Sequence, residues 1–357
     1  MAILAAGWRT PTDTTHAPER MRDRERAEWL VAVIIPCFNV AGQIADVIQS
    51  IPDDVGLIIA VDDASTDDTV RRIEALGDGR VVLVRRARNG GVGAAVKAGY
   101  AAALSRGADI CVKMDGDGQM SGDHLGPLIA AVGAGLADYA KGNRFVDLDA
   151  LRRMPRARLF GNACLSFAGK AASGYWNMLD ITNGYTAITA SMLRRIPLDQ
   201  LSDRYFFEIS TLIELNIAGA RVIDVAMPAR YAGERSSMRL GRILLTFPGL
   251  LLRGMLRRFY WRYLIEDFGV VSVAALTGIP LLAFGIIFGG AQWIRSVETG
   301  RLASAGTVIL AALPVLLGFQ LLLCAVVLDV LSSRTLKRAS DHLAVMDRVP
   351  EIAAPLG

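Results

Sequence analysis

The chain has 357 residues, of which 52% are hydrophobic, and a formal net charge of +4. This length accommodates one large domain and an appendage. The four cysteines show no CxxC or metal-type spacing, and the three histidines form no cluster. Zinc chemistry, a histidine-based catalytic triad and a disulfide framework are therefore not expected, and the cysteines are interpreted as reduced residues.

Composition changes along the chain predict six segments. They are a mobile tail (1–28), a folded domain (29–238), an amphipathic Arg-rich segment (239–267), a first apolar run (268–291), a second apolar run (307–328) and a C-terminal tail (329–357).

From Trp29 onward, short apolar runs alternate with amphipathic stretches. The predicted strands are Val31–Ile35, Val55–Val61, Val81–Val84 and Asp109–Val112, and the helices between and after them include Asp67–Leu76, Gly93–Arg106 and His124–Gly133. Such alternation predicts an α/β fold with a mostly parallel sheet and helices on both faces. The pattern is less regular over 139–235, where we predict a helix at Phe206–Ile217 and a strand at Val222–Met227.

Two acidic turns follow predicted strands. Asp62 and Asp63 end one strand, and Asp115 and Asp117 end another within the sequence Lys-Met-Asp-Gly-Asp-Gly-Gln. Ligands of parallel sheets bind at the carboxyl ends of strands, so both turns are expected to face one crevice. Paired carboxylates can share Mg²⁺ or Mn²⁺ with substrate phosphates, which predicts an enzyme that holds a nucleotide diphosphate through a metal.

A calcium loop is the first alternative for the Asp115 turn. A loop of the EF-hand kind has glycine at its sixth position and glutamate at its twelfth. Counted from Asp115, those positions hold Met120 and Gly126, so this interpretation fails. A solvated loop is the second alternative, and the position directly after a buried strand argues against it.

Residues 89–99 form a glycine-rich stretch that opens a predicted helix. Gly91 and Gly93 would let backbone N–H groups approach an anion at the helix N-terminus. Lys97 is a candidate phosphate contact, although a surface lysine is the simpler interpretation when that residue is taken alone.

The C-terminal part predicts a membrane anchor. Between Arg239 and Arg262 there are six arginines and no acidic residue, which suits a helix lying at an anionic membrane surface. Each apolar run is uncharged and exceeds the about 20 residues that cross a bilayer. The basic flanks predict that both chain ends are cytoplasmic. Small residues within the runs would permit close helix contacts, including those of a homo-oligomer.

Several motifs together resemble family 2 glycosyltransferases. They are Val-Ile-Ile-Pro-Cys-Phe-Asn at 33–39, Val-Asp-Asp-Ala-Ser-Thr-Asp at 61–67, the glycine-rich stretch, Asp-Gly-Asp-Gly-Gln at 115–119, Gly-Asn-Arg-Phe at 142–145, Thr-Asn-Gly-Tyr at 182–185, Tyr-Phe-Phe-Glu at 205–208 and Ala-Gly-Glu-Arg-Ser-Ser at 232–237. With the two apolar runs, the chain is similar to the branch of dolichyl-phosphate mannose synthases and bacterial polyprenyl-phosphate glycosyltransferases.

The resemblance implies a GT-A fold, a nucleotide-diphospho-sugar donor and roles for individual residues. The donor site would include Pro36, Phe38, Asn39, Val61, Asp62, Asp63, Gly91, Lys97 and Asp115. The metal cluster would be Asp115, Asp117 and Gln119, and the acceptor phosphate would meet Arg144, Arg158 and Arg235. Two departures from the family pattern affect recognition: Val40 replaces an acidic residue, and Thr186 replaces the arginine of a Ser-Gly-Phe-Arg motif.

The expected function is inverting sugar transfer to a polyprenyl phosphate at the cytoplasmic face, with Asp117, Arg144 and Glu208 as catalytic residues. An ionised phosphate acceptor needs positioning and a cationic cradle but no base. The first alternative is extension of a lipid-linked saccharide or polysaccharide at a hydroxyl, with Glu208 or Asp180 as base. The second is a non-catalytic, membrane-tethered nucleotide-binding protein. The expected partners are the donor, the acceptor and membrane lipids, without nucleic acid.

Overall fold

The computed structural model describes residues 29–144, 156–227 and 240–333. Runs of buried aliphatic residues, many of them β-branched, form most of the strands in this part of the chain. The strands are β1 (Val31–Cys37), β2 (Leu57–Asp62), β3 (Val81–Arg85), β4 (Ile110–Lys113), β5 (Tyr139–Asn143), β6 (Thr186–Thr189) and β7 (Val222–Ala226).

Helices connect and extend these strands. They are α1 (Ile44–Gln49), α2 (Thr69–Ala75), α3 (Val92–Ser105), α4 (Leu125–Gly133), α5 (Arg156–Ser173), α6 (Ala190–Leu193), α7 (Phe207–Ile217), α8 (Leu240–Phe259), α9 (Val270–Thr299) and α10 (Ala305–Leu331). Short 3₁₀ turns lie at Gly122–His124 and Leu198–Gln200, and a π-helical segment at Tyr260–Glu266 follows α8.

The described strands form one sheet in the order β3-β2-β1-β4-β6-β5-β7. All neighbouring pairs are parallel except those of β6, which runs antiparallel to both β4 and β5. Alternating side chains enter two hydrophobic layers. Ile34 and Ile59 pack with α3, α5 and α7, whereas Val33 and Ile58 pack with α1, α2 and α4. The predicted fold class, a mostly parallel sheet covered on both faces, is confirmed.

The reversed direction of β6 decides what reaches the candidate site. The parallel strands β1, β2, β4 and β5 all end at one edge of the sheet. Because β6 is antiparallel, the residues that precede it, Asn183 and Gly184, lie at that same edge. The edge therefore carries the turns after β1, β2 and β4, the residue after β5 and the turn before β6.

Several predicted boundaries and elements need correction. The fourth strand ends at Lys113 and not at Val112, which places a lysine inside a fully buried strand. Strands β5 and β6 and helix α5 lie within residues 139–205, for which no strand or helix was predicted. The helix that contains the first apolar run extends to Thr299, and residues 300–304 connect it to the second helix.

Helices α9 and α10 are long and apolar enough to cross a membrane. Large side chains on them point outward: Ile287 is 71% exposed, Leu316 66% and Phe319 60%. A core helix of a soluble protein would bury such residues. Prolines occur within both helices, as membrane-spanning helices tolerate. Helix α8 and the π-helical segment also expose Leu252, Leu256 and Trp261.

Glycines let α9 and α10 pack closely against each other. A Cβ on Gly278 would lie 3.1 Å from the carbonyl oxygen of Gly318, and one on Gly318 would lie 2.6 Å from the backbone nitrogen of Leu282. A Cβ on Gly285 would lie 2.6 Å from Cγ2 of Val315. These small residues thus serve contacts within the chain. The predicted homo-oligomer stays a prediction.

Replacing Gly318 should therefore separate the helix pair. We expect Gly318→Leu to lower the thermal midpoint in detergent, because overpacking against backbone costs about 1–3 kcal/mol or more. Gly290→Leu is the matched control, since nothing lies within 4 Å of a Cβ built there. Equal midpoints for the two variants would contradict the observed helix contact.

Candidate active site

The turns after β1 and β2 are joined into one rim by side-chain hydrogen bonds. Asn39 has a positive φ of 54°, and its N–H donates to Oγ of Ser65 at 3.1 Å. Its Oδ1 accepts from the N–H of Thr66 at 2.8 Å. The neighbouring Phe38 is 47% exposed, whereas Val61 is fully buried and packs into the core. Asn39 and Phe38 thus lie at the rim, whereas the Val61 side chain lies in the core, and the donor contact of Val61 stays a prediction.

Asp63 occupies the N-terminus of α3. Its carboxylate accepts hydrogen bonds from the N–H groups of Gly90 (3.1 Å) and Gly91 (2.7 Å) and from the guanidinium of Arg86. Gly91 has a φ of +98°, and a Cβ there would lie 2.7 Å from the carbonyl oxygen of Asp203. The anion at this helix N-terminus is therefore an internal one. This corrects the expected phosphate contact of Gly91: its N–H already binds Asp63. The neighbouring Asp62 accepts from the N–H of Ser65 at 3.1 Å.

Lys97 lies one turn further along α3 and binds the loop before α7. Its ammonium donates to the carbonyl of Leu201 at 3.0 Å and lies 2.5 Å from a carboxylate oxygen of Asp203. These contacts hold the loop that leads to Glu208, and the expected phosphate contact of Lys97 stays a prediction.

A buried ammonium joins the ends of β4 and α7. Lys113 is 1% exposed and donates to Oδ1 of Asp115 at 2.8 Å and to Oε1 of Glu208 at 3.2 Å. Burial alone would lower the pKa of Lys113, but the two carboxylates outweigh it and raise the pKa above its ordinary value. Lys113 therefore stays charged and holds both carboxylates in place.

The Asp115–Gln119 turn lies against the neighbouring strand ends. A Cβ on Gly116 would lie 3.3 Å from the carbonyl oxygen of Pro36, and one on Gly184 would lie 2.8 Å from Oδ2 of Asp115. Within the turn, the N–H of Gln119 donates to Oδ1 of Asp117 at 3.1 Å. The turn thus lies between the β1 end and the β6 start.

The donor set of this turn fits a magnesium or manganese ion. Among the described residues no three or more His, Cys, Asp or Glu side chains converge on one point. Mg²⁺, however, commonly takes only one or two carboxylates and completes its shell with phosphates and water. Asp115 and Asp117 can supply those carboxylates and Gln119 an amide oxygen, beside the diphosphate of a donor.

Arg144 follows β5 and is fixed by Asp180. Its Nε and Nη2 donate to the two carboxylate oxygens of Asp180 at 2.8 and 3.2 Å, and its backbone N–H adds a third bond at 3.3 Å. The Asp180 side chain is fully buried, whereas that of Arg144 is 35% exposed. Asp180 therefore orients the guanidinium. Both carboxylate oxygens of Asp180 accept from Arg144, and the role of Asp180 as a candidate base stays a prediction.

Two further ionisable groups lie buried beneath Arg144. The ammonium of Lys141 donates to the carbonyl of Asn183, and burial lowers the pKa of Lys141 to about 8. Asp224 accepts from the N–H of Leu179 at 2.8 Å, while its buried Oδ1 has no partner within the described part of the chain. Burial raises the pKa of Asp224 to about 7.

Sequence reasoning missed Lys113, Lys141, Arg86 and Asp224. For Lys113 and Asp224 the available signal was a charged residue inside or at the end of an apolar strand, which only a paired or functional side chain explains. Lys141 and Arg86 carried no such signal. Two predicted acceptor contacts are not described: the side chain of Arg158 and the whole of Arg235 lie outside the described residues.

With this geometry in place, comparison identifies the family. The model described as Glycosyl transferase family 2 matches residues 32–201. Undecaprenyl-phosphate mannosyltransferase of Micrococcus luteus is 32% identical over 200 residues, covering 55% of this chain and 81% of the relative. Polyprenol monophosphomannose synthase of Mycolicibacterium smegmatis is 32% identical over 210 residues, covering 54% and 74%. UDP-N-acetylglucosamine–dolichyl-phosphate N-acetylglucosaminyltransferase of Methanococcus voltae is 28% identical over 194 residues, covering 50% and 77%.

The family model and two of these relatives are named for sugar transfer. The chain belongs to the family 2 glycosyltransferases, as the resemblance of its motifs predicted.

The raised pKa of Asp224 predicts a pH dependence of stability. The folded chain keeps a proton that the unfolded chain releases above about pH 4. The stabilisation linked to this proton is therefore full below about pH 4 and is lost as the pH rises through about 7. We expect the thermal midpoint of the wild type to fall relative to that of Asp224→Asn between about pH 5 and pH 8.

The exposed Asp199 provides the control for that experiment. Asp199→Asn should follow the wild type across the same range. A constant difference between the wild type and Asp224→Asn would contradict a protonated Asp224.

Proposed function

We propose that this glycosyltransferase moves a sugar from a nucleotide-diphospho-sugar to a polyprenyl phosphate at a membrane surface. The two more similar relatives reported above carry names that specify such lipid phosphates. The observation that carries the proposal is the pairing of Arg144 with Asp180, which presents a partly exposed guanidinium at the edge that bears Asp115 and Asp117. A fixed guanidinium is suited to a phosphate group.

Both candidate bases are paired with cationic side chains, which favours a phosphate acceptor over a hydroxyl acceptor. A hydroxyl acceptor needs a carboxylate to take its proton. Asp180 is buried against Arg144, and Glu208 is bonded to Lys113. A phosphate monoester is already ionised near neutral pH, so it reacts without a base and needs only to be held in line with the anomeric carbon.

Apolar surface next to Arg144 supports a lipid acceptor. Leu179, which directly precedes Asp180, is 50% exposed, and Phe167 is 66% exposed and packs edge-on against Trp176. The indole of Trp176 in turn bonds to Asp329 at the end of α10. These residues supply apolar contacts between the phosphate site and the membrane helices.

The reaction we propose is a single displacement. An acceptor phosphate oxygen attacks the anomeric carbon as the bond to the nucleoside diphosphate breaks, which inverts the configuration. Mg²⁺ or Mn²⁺ bound at Asp115, Asp117 and Gln119 would supply Lewis-acid stabilisation of the leaving diphosphate. Arg144 positions the attacking phosphate, and Lys113 keeps Asp115 and Glu208 oriented before the donor binds.

We further propose the topology that the charges favour. The helices α9 and α10 cross the membrane, and the Arg-rich α8 and the π-helical segment lie at the cytoplasmic surface. The catalytic domain and both chain ends then face the cytoplasm.

The proposal is tested with purified full-length protein, labelled nucleotide-sugars, Mn²⁺ and two acceptors, polyprenyl phosphate and a pre-glycosylated polyprenyl lipid. We expect butanol-extractable label on polyprenyl phosphate with at least one donor. Label on the pre-glycosylated lipid alone would overturn the proposal and favour extension at a hydroxyl with Glu208 as base. No transfer from any donor to either lipid would favour a nucleotide-binding protein without catalysis.

Asp117→Asn tests the metal site within that assay. Loss of one charge from the donor set should reduce turnover by about 10²–10³-fold, by analogy with the loss of other transition-state contacts. It should also raise the Mn²⁺ concentration that gives half-maximal rate. Asp123→Asn is the matched control, because that carboxylate accepts from Oγ of Ser121 at 2.7 Å just beyond the turn. Unchanged turnover and metal dependence in Asp117→Asn would refute the assignment.

A further inference from the structure

Asp329 is a buried carboxylate at the end of a membrane-spanning helix. It lies in the last turn of α10, directly after a run of 22 uncharged residues at 307–328, and is 8% exposed. It accepts two bonds from Arg258 (2.7 and 3.0 Å), one from the hydroxyl of Tyr263 (2.5 Å) and one from the indole of Trp176 (2.8 Å). We name these four residues the Asp329 joint.

Arg258 connects the joint to a helix of the catalytic domain. Its Nε donates to the carbonyl of Ala172 at 3.0 Å, and its Nη2 donates to that of Ala171 at 3.1 Å, both in the last turn of α5. Gly174 has a φ of +76°, and a Cβ there would lie 2.5 Å from Nη1 of Arg258. The guanidinium of Arg258 thus caps α5 and also binds α10. It occupies space beside Gly174 that a side chain at that position would fill.

The orientation of these side chains differs from that of ordinary membrane anchors. Tryptophan, tyrosine and arginine at a bilayer surface usually extend toward lipid headgroups. On the same segment, Tyr260 and Trp261 are 49% and 42% exposed and fit that pattern. Arg258 and Tyr263 are only 4% and 5% exposed and turn inward to Asp329. Ionisable groups near the membrane that are buried and fully paired commonly have a functional role.

The joint continues into the site through a short segment of chain. Trp176 lies four residues before Asp180, which fixes Arg144. Between them, the N–H of Leu179 donates to Asp224 in β7, so the segment 176–180 is held at Trp176, at Leu179 and at Asp180. A displacement of α10 relative to the catalytic domain would therefore act on the orientation of Arg144.

We propose that Asp329 is a positioning residue, which sets the height and orientation of Arg144 above the membrane so that a membrane-embedded lipid phosphate reaches it. The inference rests on the proposed function, because it assigns Arg144 to the acceptor. It predicts that loss of the joint impairs use of a long-chain acceptor in a bilayer but spares a short-chain isoprenyl phosphate that arrives from water.

The test compares Asp329→Asn and Trp176→Phe in nanodiscs. With long-chain polyprenyl phosphate we expect KM to rise about tenfold, a size within the usual range of coupling between sites, while the donor KM is unchanged. With the short-chain phosphate, kcat/KM should match the wild type. The double variant should be no worse than Asp329→Asn alone, because both changes break one network. Trp176→Phe keeps an aromatic ring, so a folded variant remains if Asp329→Asn fails to fold.

Arg257→Gln is the matched control. It breaks the contact of Arg257 with Glu214 (2.7 and 3.1 Å), which ties the same helix to α7 without touching Asp329. Its ratio of long-chain to short-chain kcat/KM should equal that of the wild type. The proposal is overturned if Arg257→Gln changes this ratio as Asp329→Asn does, if the joint variants affect both acceptors equally, or if they affect neither.

A measurement that does not depend on enzyme activity, amide hydrogen exchange, tests this proposal separately from the proposed function. Amide hydrogen exchange of residues 176–180 should accelerate in Asp329→Asn and not in Arg257→Gln. If the wild type fails to glycosylate polyprenyl phosphate while this exchange pattern holds, the proposed function is wrong but the joint is real. Unchanged exchange in Asp329→Asn refutes the joint, whatever the enzyme glycosylates.

Discussion

The ammonium of Lys113 is the interaction on which the candidate site depends. It lies buried at the end of β4 and bonds to Asp115 on its own turn and to Glu208 on α7. A charge in this position is costly unless it is paired, and removal of either carboxylate would leave the buried ammonium with an incomplete set of bonds. The Asp115–Gln119 turn, the N-terminal turn of α7 and the glycine before β6 are therefore constrained to one arrangement. A one-residue shift of β4 would move Lys113 to the opposite face of the sheet and disrupt all three.

The same arrangement recurs elsewhere in the described chain: a buried acidic residue fixes donor groups from a distant segment. Asp63 binds the N–H groups at the start of α3, Asp180 binds Arg144, and Asp329 binds Arg258. Each pair fixes a connection between two elements that are distant in sequence. The loops at the edge of the sheet thus owe their positions to internal ion pairs and charge-assisted hydrogen bonds as much as to hydrophobic packing.

These internal pairs between distant segments also explain which features the sequence could and could not predict. The apolar runs of β1, β2 and β4 and the spacing of acidic residues after them are local patterns, and they correctly gave the fold class and the family. Strand β5 reads Tyr-Ala-Lys-Gly-Asn and β6 has only four residues, so neither shows a strand pattern. The antiparallel insertion of β6 depends on pairing between distant segments. The partners of Gly91, Lys97 and Asp180 also come from segments that are distant in the sequence. The sequence does not reveal these partners, so Gly91 and Lys97 were interpreted as ligand contacts and Asp180 as a base.

The pairing of β6 with both neighbours bears on the missing arginine at position 186. Thr186 lies opposite Lys113 on β4 and opposite Lys141 on β5. Cross-strand partners share a face of the sheet, so the position that lacks a cation in this chain is flanked by one on each side. The two lysines differ in their partners. Lys113 is paired with two carboxylates, whereas Lys141 donates to a carbonyl as its one hydrogen-bond partner among the described residues, and burial lowers its pKa to about 8. Positive charge is therefore retained at this edge but lies beneath the surface. There the two lysines orient Asp115, Glu208 and the Asn183 turn instead of contacting a substrate directly.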